Sequence, residues 1–297
     1  MTPLLKRAWF RAAVVLLAAG FVSPLLALWR FAAGSQLYSH LPLIPLLSLY
    51  LAWMRRRTRP PAEPGDARLV LLFLTLALAS WTGGEFLRFR GGDPTSVLAA
   101  GALSFVAFVA AGVSAFSGRA RLRHAGAPLA FLVLLAPLPA PWLAAAESFL
   151  QSASALGAVG LFRLAGTPVL ASGSLLQLPG LWLQVAPECS GIHSTLVLLV
   201  TSLFVGCQLY ARAWPRVLLA ACVIPIGLLR NSVRIFAIGE LCLRFGPQMI
   251  DSPLHRQGGP LFFALSLFPL LGCAFWLARH EPVASTRLSR CVPSSLS

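Results

Sequence analysis

Apolar runs of roughly twenty residues follow one another along this chain of 297 residues, parted by short stretches that hold most of its arginines. A helix needs about 20 mainly apolar residues to cross the hydrocarbon core of a bilayer. Repetition on that scale leaves little choice but a bundle of membrane-spanning helices, since only helices and closed barrels satisfy every backbone group in lipid. The charge content agrees: 11% of residues are charged, against about 25% in a soluble domain. The expected fold is therefore an all-α polytopic membrane protein with about eight spans, near 8–30, 38–54, 68–87, 95–117, 127–146, 189–211, 217–243 and 260–278. The first run is too long, and too closely followed by a second, for a cleaved signal peptide.

A formal net charge of +15 would suit a nucleic-acid partner if it formed a continuous patch. Here the basic residues sit in clusters between apolar runs, as topology-setting loop charges do, so no nucleic acid is expected. With the N-terminus inside, alternating spans place 16 of the 24 Lys and Arg on the inner side and six on the outer, with Arg230 and Arg234 inside the seventh span. That bias predicts both termini in the cytoplasm and the start of the sixth span on the outer face.

Local punctuation divides the chain further, within a single membrane domain over 1–297. Five N-terminal spans cover 1–146, and Pro60 to Asp66 form a cytoplasmic loop. Pro137, Pro139 and Pro141 should kink or end the fifth span, because proline removes a backbone donor and clashes with the preceding turn. An outer-face segment over 147–188 follows. It holds an interfacial helix near 144–165, for which a ninth span is the alternative, and then a small β-hairpin from the Gly/Pro/Ser-broken runs between Pro168 and Val185. A three-span core at 189–278 and a cytoplasmic tail at 279–297 complete the order, with no room for an appended soluble domain.

The chemistry-bearing residues cluster in that core. Cys189 stands in Pro187-Glu188-Cys189-Ser190-Gly191, at the entrance of the sixth span. Near the first turn of a helix, unpaired N–H groups and the positive end of the dipole favour a thiolate; Glu188 opposes this, so a cationic partner is needed. Such a cation is available within Arg230-Asn231-Ser232-Val233-Arg234. Arginine at the centre of a membrane helix costs on the order of 2.5–3.5 kcal/mol, and two of them four apart share one face, so both should point into the bundle. His255, in the loop before the last span, can exchange protons near neutral pH. His193, four residues after Cys189, competes for that role along the same helix face.

Three readings fit these residues. In the first, Cys189 is a nucleophile assisted by an arginine and a histidine. In the second, the protein is a transporter or assembly scaffold in which Arg230 and Arg234 form an anion site. In the third, Cys189 and Cys242, both near span ends, cycle through a disulfide, although the chain has no Cys-x-x-Cys pair. Cys207, Cys222 and Cys273 fall inside apolar runs as small hydrophobes, and Cys291 lies in the tail. No zinc-protease His-Glu-x-x-His, nucleophile elbow or phosphate-binding glycine loop is present. Neither a metal nor a cofactor is expected.

Cys189-Ser190-Gly191 entering a span, Asn231-Ser232-Val233-Arg234 in the next and His255 before the last resemble the exosortase/archaeosortase family of integral-membrane cysteine transpeptidases. The likeness is specific over about 185–270, and the proline-rich fifth span and the segment ahead of the cysteine share the family's character. The resemblance implies Cys189 as the nucleophile forming an acyl-thioester, Arg234 as proton donor or stabiliser, and His255 at the third catalytic position. Arg230, Asn231 and His193 are additional candidates, and Arg230 competes directly with Arg234 for the family arginine. It also implies substrates anchored in the membrane by a C-terminal motif, a transmembrane helix and a basic tail. These would be cleaved at the outer face of the plasma (inner) membrane and passed to a lipid or glycan acceptor on the cell surface.

Overall fold

The computed structural model describes residues 3–185, 190–251 and 258–280, with backbone alone for 3–18, 250 and 251. The chain divides into two compact units, Met1–Leu143 and Ala144–Ser297.

The first unit contains α1 (Pro3–Gly34), α2 (Leu43–Met54), α3 (Ala67–Phe89), α4 (Pro94–His124), α5 (Gly126–Val133) and the beginning of α6 (Ala140–Leu164). Helices α3 and α4 form an antiparallel hairpin whose seam is made of small residues. Ser80 Oγ donates to the Ala100 carbonyl and Ser104 Oγ to the Ala77 carbonyl, both at 2.8 Å, and a Cβ on Gly84 would stand 3.0 Å from that of Ala100. Close backbone approach through Gly, Ala and Ser replaces the hydrophobic effect as the cohesive term between helices in lipid. Asp66 caps α3 through Arg68 N and Leu69 N. Asp93 caps α4 through Ser96 N and also accepts from Ala140 N, the first residue of α6.

The second unit carries the rest of α6, a three-stranded sheet, α7 (Ile192–Leu209), α8 (Ala213–Ala221), α9 (Val223–Phe245) and α10 (Gly259–His280). Strands β1 (Leu170–Ser172), β2 (Leu175–Leu178) and β3 (Leu181–Gln184) pair antiparallel in that order, one strand more than a hairpin. The turns are made by Gly173 at φ 63° and by Pro179-Gly180, with Gly180 at φ 70°, the positive φ that such tight turns demand. Alternation then sends Leu176, Leu178 and Leu183 inward against Ala155, Ala158, Val159 and Phe162 of α6 and Ile235 of α9.

Helix α10 shows how these helices meet their surroundings. Phe262, Ser266, Leu270, Ala274 and Leu277 are buried along one stripe, while Leu261, Leu265, Phe268, Phe275 and Trp276 are exposed along another. A helix apolar on both its packed and its open side belongs in a membrane.

Among the described residues, five helical stretches are long and apolar enough to cross one: Ala67–Phe89, Pro94–His124, Ile192–Leu209, Ala213–Phe245 and Gly259–His280. They match five of the eight expected spans; of the other three, 8–30 lies within the 32-residue helix α1, while 38–54 and 127–146 do not form one span-length helix. In the stretch 38–54 only the 12-residue α2 is helical beyond turns, about 18 Å long against a hydrocarbon core of about 30 Å. The 127–146 stretch breaks between Val133 and Ala140, where Pro137 and Pro139 remove N–H donors and force the preceding residues out of the helical region. In 8–30, which lies within α1, the apolar helix counted over described side chains is Ala19–Gly34.

Candidate active site

Helix α9 has its buried stripe built from the wrong chemistry for a membrane helix. Val223, Gly227, Arg230, Asn231, Ser232, Ile235, Ile238, Gly239 and Cys242 are buried, whereas Ile224 and Leu229 are exposed. Apolar residues face outward and an arginine, an asparagine and a serine face the bundle. Desolvated polar groups of this kind persist only when they are paired or perform a function.

The pairing is local. Arg230 is 6% exposed, and its Nη2 donates to the Gly191 carbonyl at 3.0 Å and to Thr195 Oγ1 at 3.3 Å. Its Nη1 is buried and makes no hydrogen bond among the described residues. Gly191 is the N-cap of α7 in the left-handed conformation, φ 72°. A Cβ there would lie 2.8 Å from Arg230 Nη2 and 3.2 Å from Asn231 Oδ1. Glycine is therefore required twice over, by its backbone conformation and by the approach of α9. One turn earlier on α9, Gly227 has Thr195 as its neighbour, with Oγ1 2.9 Å from an imagined Cβ. Thr195 Oγ1 in turn donates to the Gly191 carbonyl at 2.9 Å.

The chain entering this site is held by α6. Gln151 Nε2 donates to the carbonyl of Val185, four residues ahead of Cys189, and Val185 N donates to the Ser174 carbonyl at 2.9 Å. Helices α6 and α9 pack through small residues. Ser232 Oγ donates to the Ser154 carbonyl at 3.0 Å, and a Cβ on Gly157 would overlap Ser232 Oγ. Further along, Gly239 admits Phe162, and Glu240 accepts from Thr167 Oγ1 at 3.0 Å and pairs with Arg244 at 3.4 Å.

Of the candidates from sequence, the structure brings Arg230 and Asn231 to the backbone just after the cysteine motif. Arg234 lies one turn further along α9 and is half-buried, and His193 is exposed on the first turn of α7. Cys189 and His255 lie outside the described residues. Helix α7 begins at Ile192, three residues after Cys189 in the chain. Cys242 is a free, buried thiol among the described residues. The parts that sequence reading missed are Thr195, Gln151 and the Ser154/Gly157/Ser232 seam. The repeated small residues of α6 were the available signal, but they are equally the signature of ordinary helix packing.

A buried guanidinium with a spare N–H edge, beside the left-handed turn that follows a cysteine, can stabilise a thiolate or a developing oxyanion by charge-assisted hydrogen bonds in a water-poor site. The architecture defines the class: a multi-pass membrane protein with a polar, arginine-bearing face enclosed among apolar helices. The chain belongs to the transmembrane exosortase family (Exosortase_EpsH), whose sequence pattern matches residues 28–272. No curated protein and no solved structure matches it. Membership supports a membrane transpeptidase role in general terms.

Proposed function

We propose that the protein is a membrane-embedded cysteine transpeptidase. It cleaves the C-terminal sorting signal of surface-destined proteins and transfers the new C-terminus to an acceptor. The observation that carries this reading is the bond from Arg230 Nη2 to the Gly191 carbonyl at 3.0 Å. It ties the arginine face of α9 to the backbone two residues beyond Cys189, and two residues of extended chain reach no further than about 7 Å.

The steps balance as follows. The Cys189 thiolate attacks the scissile carbonyl, and the negative charge that develops on its oxygen is met by arginine. The C–N bond breaks as His255 gives the leaving amine its proton, which leaves an acyl-thioester on Cys189. A hydroxyl or amine of the lipid or glycan acceptor then attacks the thioester as His255 takes back a proton from it, and the C–S bond breaks to return the thiolate. In this division of labour Arg234 is the charge-stabilising catalytic residue of the Asn-x-x-Arg pattern, and Arg230 positions the Cys-Ser-Gly turn. The reaction runs at the outer face of the plasma membrane, with both termini in the cytoplasm and the substrate helix entering from the bilayer.

The test is co-expression of the full chain with a tagged substrate that carries a motif, a transmembrane helix and a basic tail. Cys189→Ala and Cys189→Ser should abolish the shift of the tagged band while the protein still reaches the membrane. Unchanged processing by Cys189→Ala would overturn the reading. Loss of function in Arg230→Ala while Cys189→Ala stays fully active would point to an anion-handling protein instead.

A further inference from the structure

The first unit carries a second polar concavity, distinct in its chemistry from the arginine face of α9. A cavity of about 200 Å3 is lined by Arg55, Arg59, Arg121 and His124 over a largely apolar floor of Ala52, Val113 and Pro128. Its cationic wall is preorganised. His124 Nε2 donates to the Arg55 carbonyl at 2.9 Å and Arg55 Nη1 to the His124 carbonyl at 3.4 Å, so each residue holds the other's backbone. Arg121 Nε donates to the Pro60 carbonyl at 2.9 Å, and its two terminal amino groups make no hydrogen bond among the described residues.

Among the described residues, no carboxylate lines this cavity. The two acids of the loop beside it are committed elsewhere: Glu63 accepts from Ala120 N at 3.2 Å, and Asp66 caps α3. The residues beside the cavity have the character of those at a boundary between hydrocarbon and headgroup. Just before Arg55, Trp53 stacks with Tyr50 at 5.9 Å and carries Arg56 over its ring at 4.7 Å, while Leu46, Leu49 and Trp53 are exposed along α2. Aromatic rings mark that interface in membrane proteins.

We propose that this cavity is a binding site for an anionic phospholipid. The headgroup phosphate lies among Arg55, Arg59, Arg121 and His124, and the acyl chains run down the apolar face of α2. The charge selects an anion, as basic pockets between membrane helices do. The apolar floor and the neighbouring exposed leucines select a lipid over a free phosphate. The site does not depend on the transpeptidase reading, because its residues are remote in sequence from the cysteine motif and its ligand is not the substrate peptide.

The test uses the full chain in nanodiscs of phosphatidylcholine with a small share of phosphatidylglycerol, with retained lipid counted by native mass spectrometry. Wild type should keep phosphatidylglycerol selectively. Arg59→Gln should weaken retention roughly fivefold, and Arg59→Gln with Arg121→Gln about 30-fold. Arg56→Gln with Arg57→Gln removes the same charge from residues that do not line the cavity and should leave retention unchanged. Because Arg121 also holds the Pro60 loop, Arg59→Gln alone serves as the variant free of that structural role. Equal losses in the two double variants would overturn the proposal in favour of diffuse surface charge. Equal retention of phosphatidylcholine would overturn it outright. Complete displacement of the lipid by millimolar inorganic phosphate would replace it with a plain anion site.

Discussion

Arg230 and Gly191 lie 39 residues apart, yet the guanidinium of one donates to the carbonyl of the other at 3.0 Å inside the helix bundle. The bond joins the buried polar stretch of α9 to the turn that follows Cys189 in the chain. It offsets part of the cost of placing an arginine in a membrane helix, since hydrogen bonds to charged groups contribute about 1.5–3 kcal/mol.

Arg230→Lys should therefore be damaging even though it conserves charge. An ammonium cannot hold the Gly191 carbonyl and Thr195 and still present a second N–H edge. Substrate processing, followed by the tagged-band assay, should fall at least tenfold with membrane expression retained. Arg234→Lys, by contrast, should lower the rate of the chemical step without loosening the turn. Thermal melting in detergent separates the two, with a lower melting temperature expected for Arg230→Lys alone.

Gly191→Ala should be worse than its size suggests. A left-handed conformation costs a non-glycine residue roughly 1–2 kcal/mol, and the added Cβ would sit 2.8 Å from Arg230 Nη2. Processing should be lost and the melting temperature lowered. Gly160→Ala, at a position with nothing within 4 Å of the added carbon, is the matched control and should behave as wild type in both assays.

Gly157→Ala should destabilise the α6–α9 contact, because its Cβ would overlap Ser232 Oγ, and overpacking of this kind costs about 1–3 kcal/mol. Adding Ser232→Ala removes the overlapping oxygen and should recover part of the loss. The double variant would then melt above Gly157→Ala despite carrying two changes. Additive losses would show that the two helices do not meet through these residues.

Asp93 makes stability depend on pH at the acid end. Hydrogen bonds from Thr95, chiefly, and from Ala140 N and Ser96 outweigh the effect of burial and hold its carboxyl well below the usual carboxylate range. A depressed folded-state pKa contributes stability that is complete above the unfolded value, near 3.9, and is lost as pH falls toward the folded one. Melting temperature should thus drop below about pH 4. In Asp93→Ala, which loses a helix cap worth about 1 kcal/mol, this acid sensitivity should be shallower.

Much of this molecule was legible without coordinates, for a physical reason. Crossing a bilayer is a property of a continuous segment, so the stretches at 68–87, 95–117, 189–211, 217–243 and 260–278 announced themselves by length and apolarity. The polar interruption at Arg230, Asn231 and Arg234 stood out because lipid penalises each such group individually. Where neighbours decide, sequence fell short. Proline chemistry predicted a disturbance near Pro137 and Pro139, but whether it kinks a span or divides it into α5 and α6 depends on what the freed backbone groups can pack against. Two arginines four apart share one face, and nothing local says which of them meets the Gly191 carbonyl. That is settled by α7, whose left-handed Gly191 and Thr195 accept Arg230 and leave Arg234 one turn beyond. The sheet behaves likewise: short runs around Gly173 and Gly180 predicted turns, but a third strand forms only because α6 and Ile235 give its leucines an apolar surface to cover. Segment-level burial in lipid was determined by sequence alone, whereas the pairing of particular polar groups was decided by contacts between residues far apart in the chain.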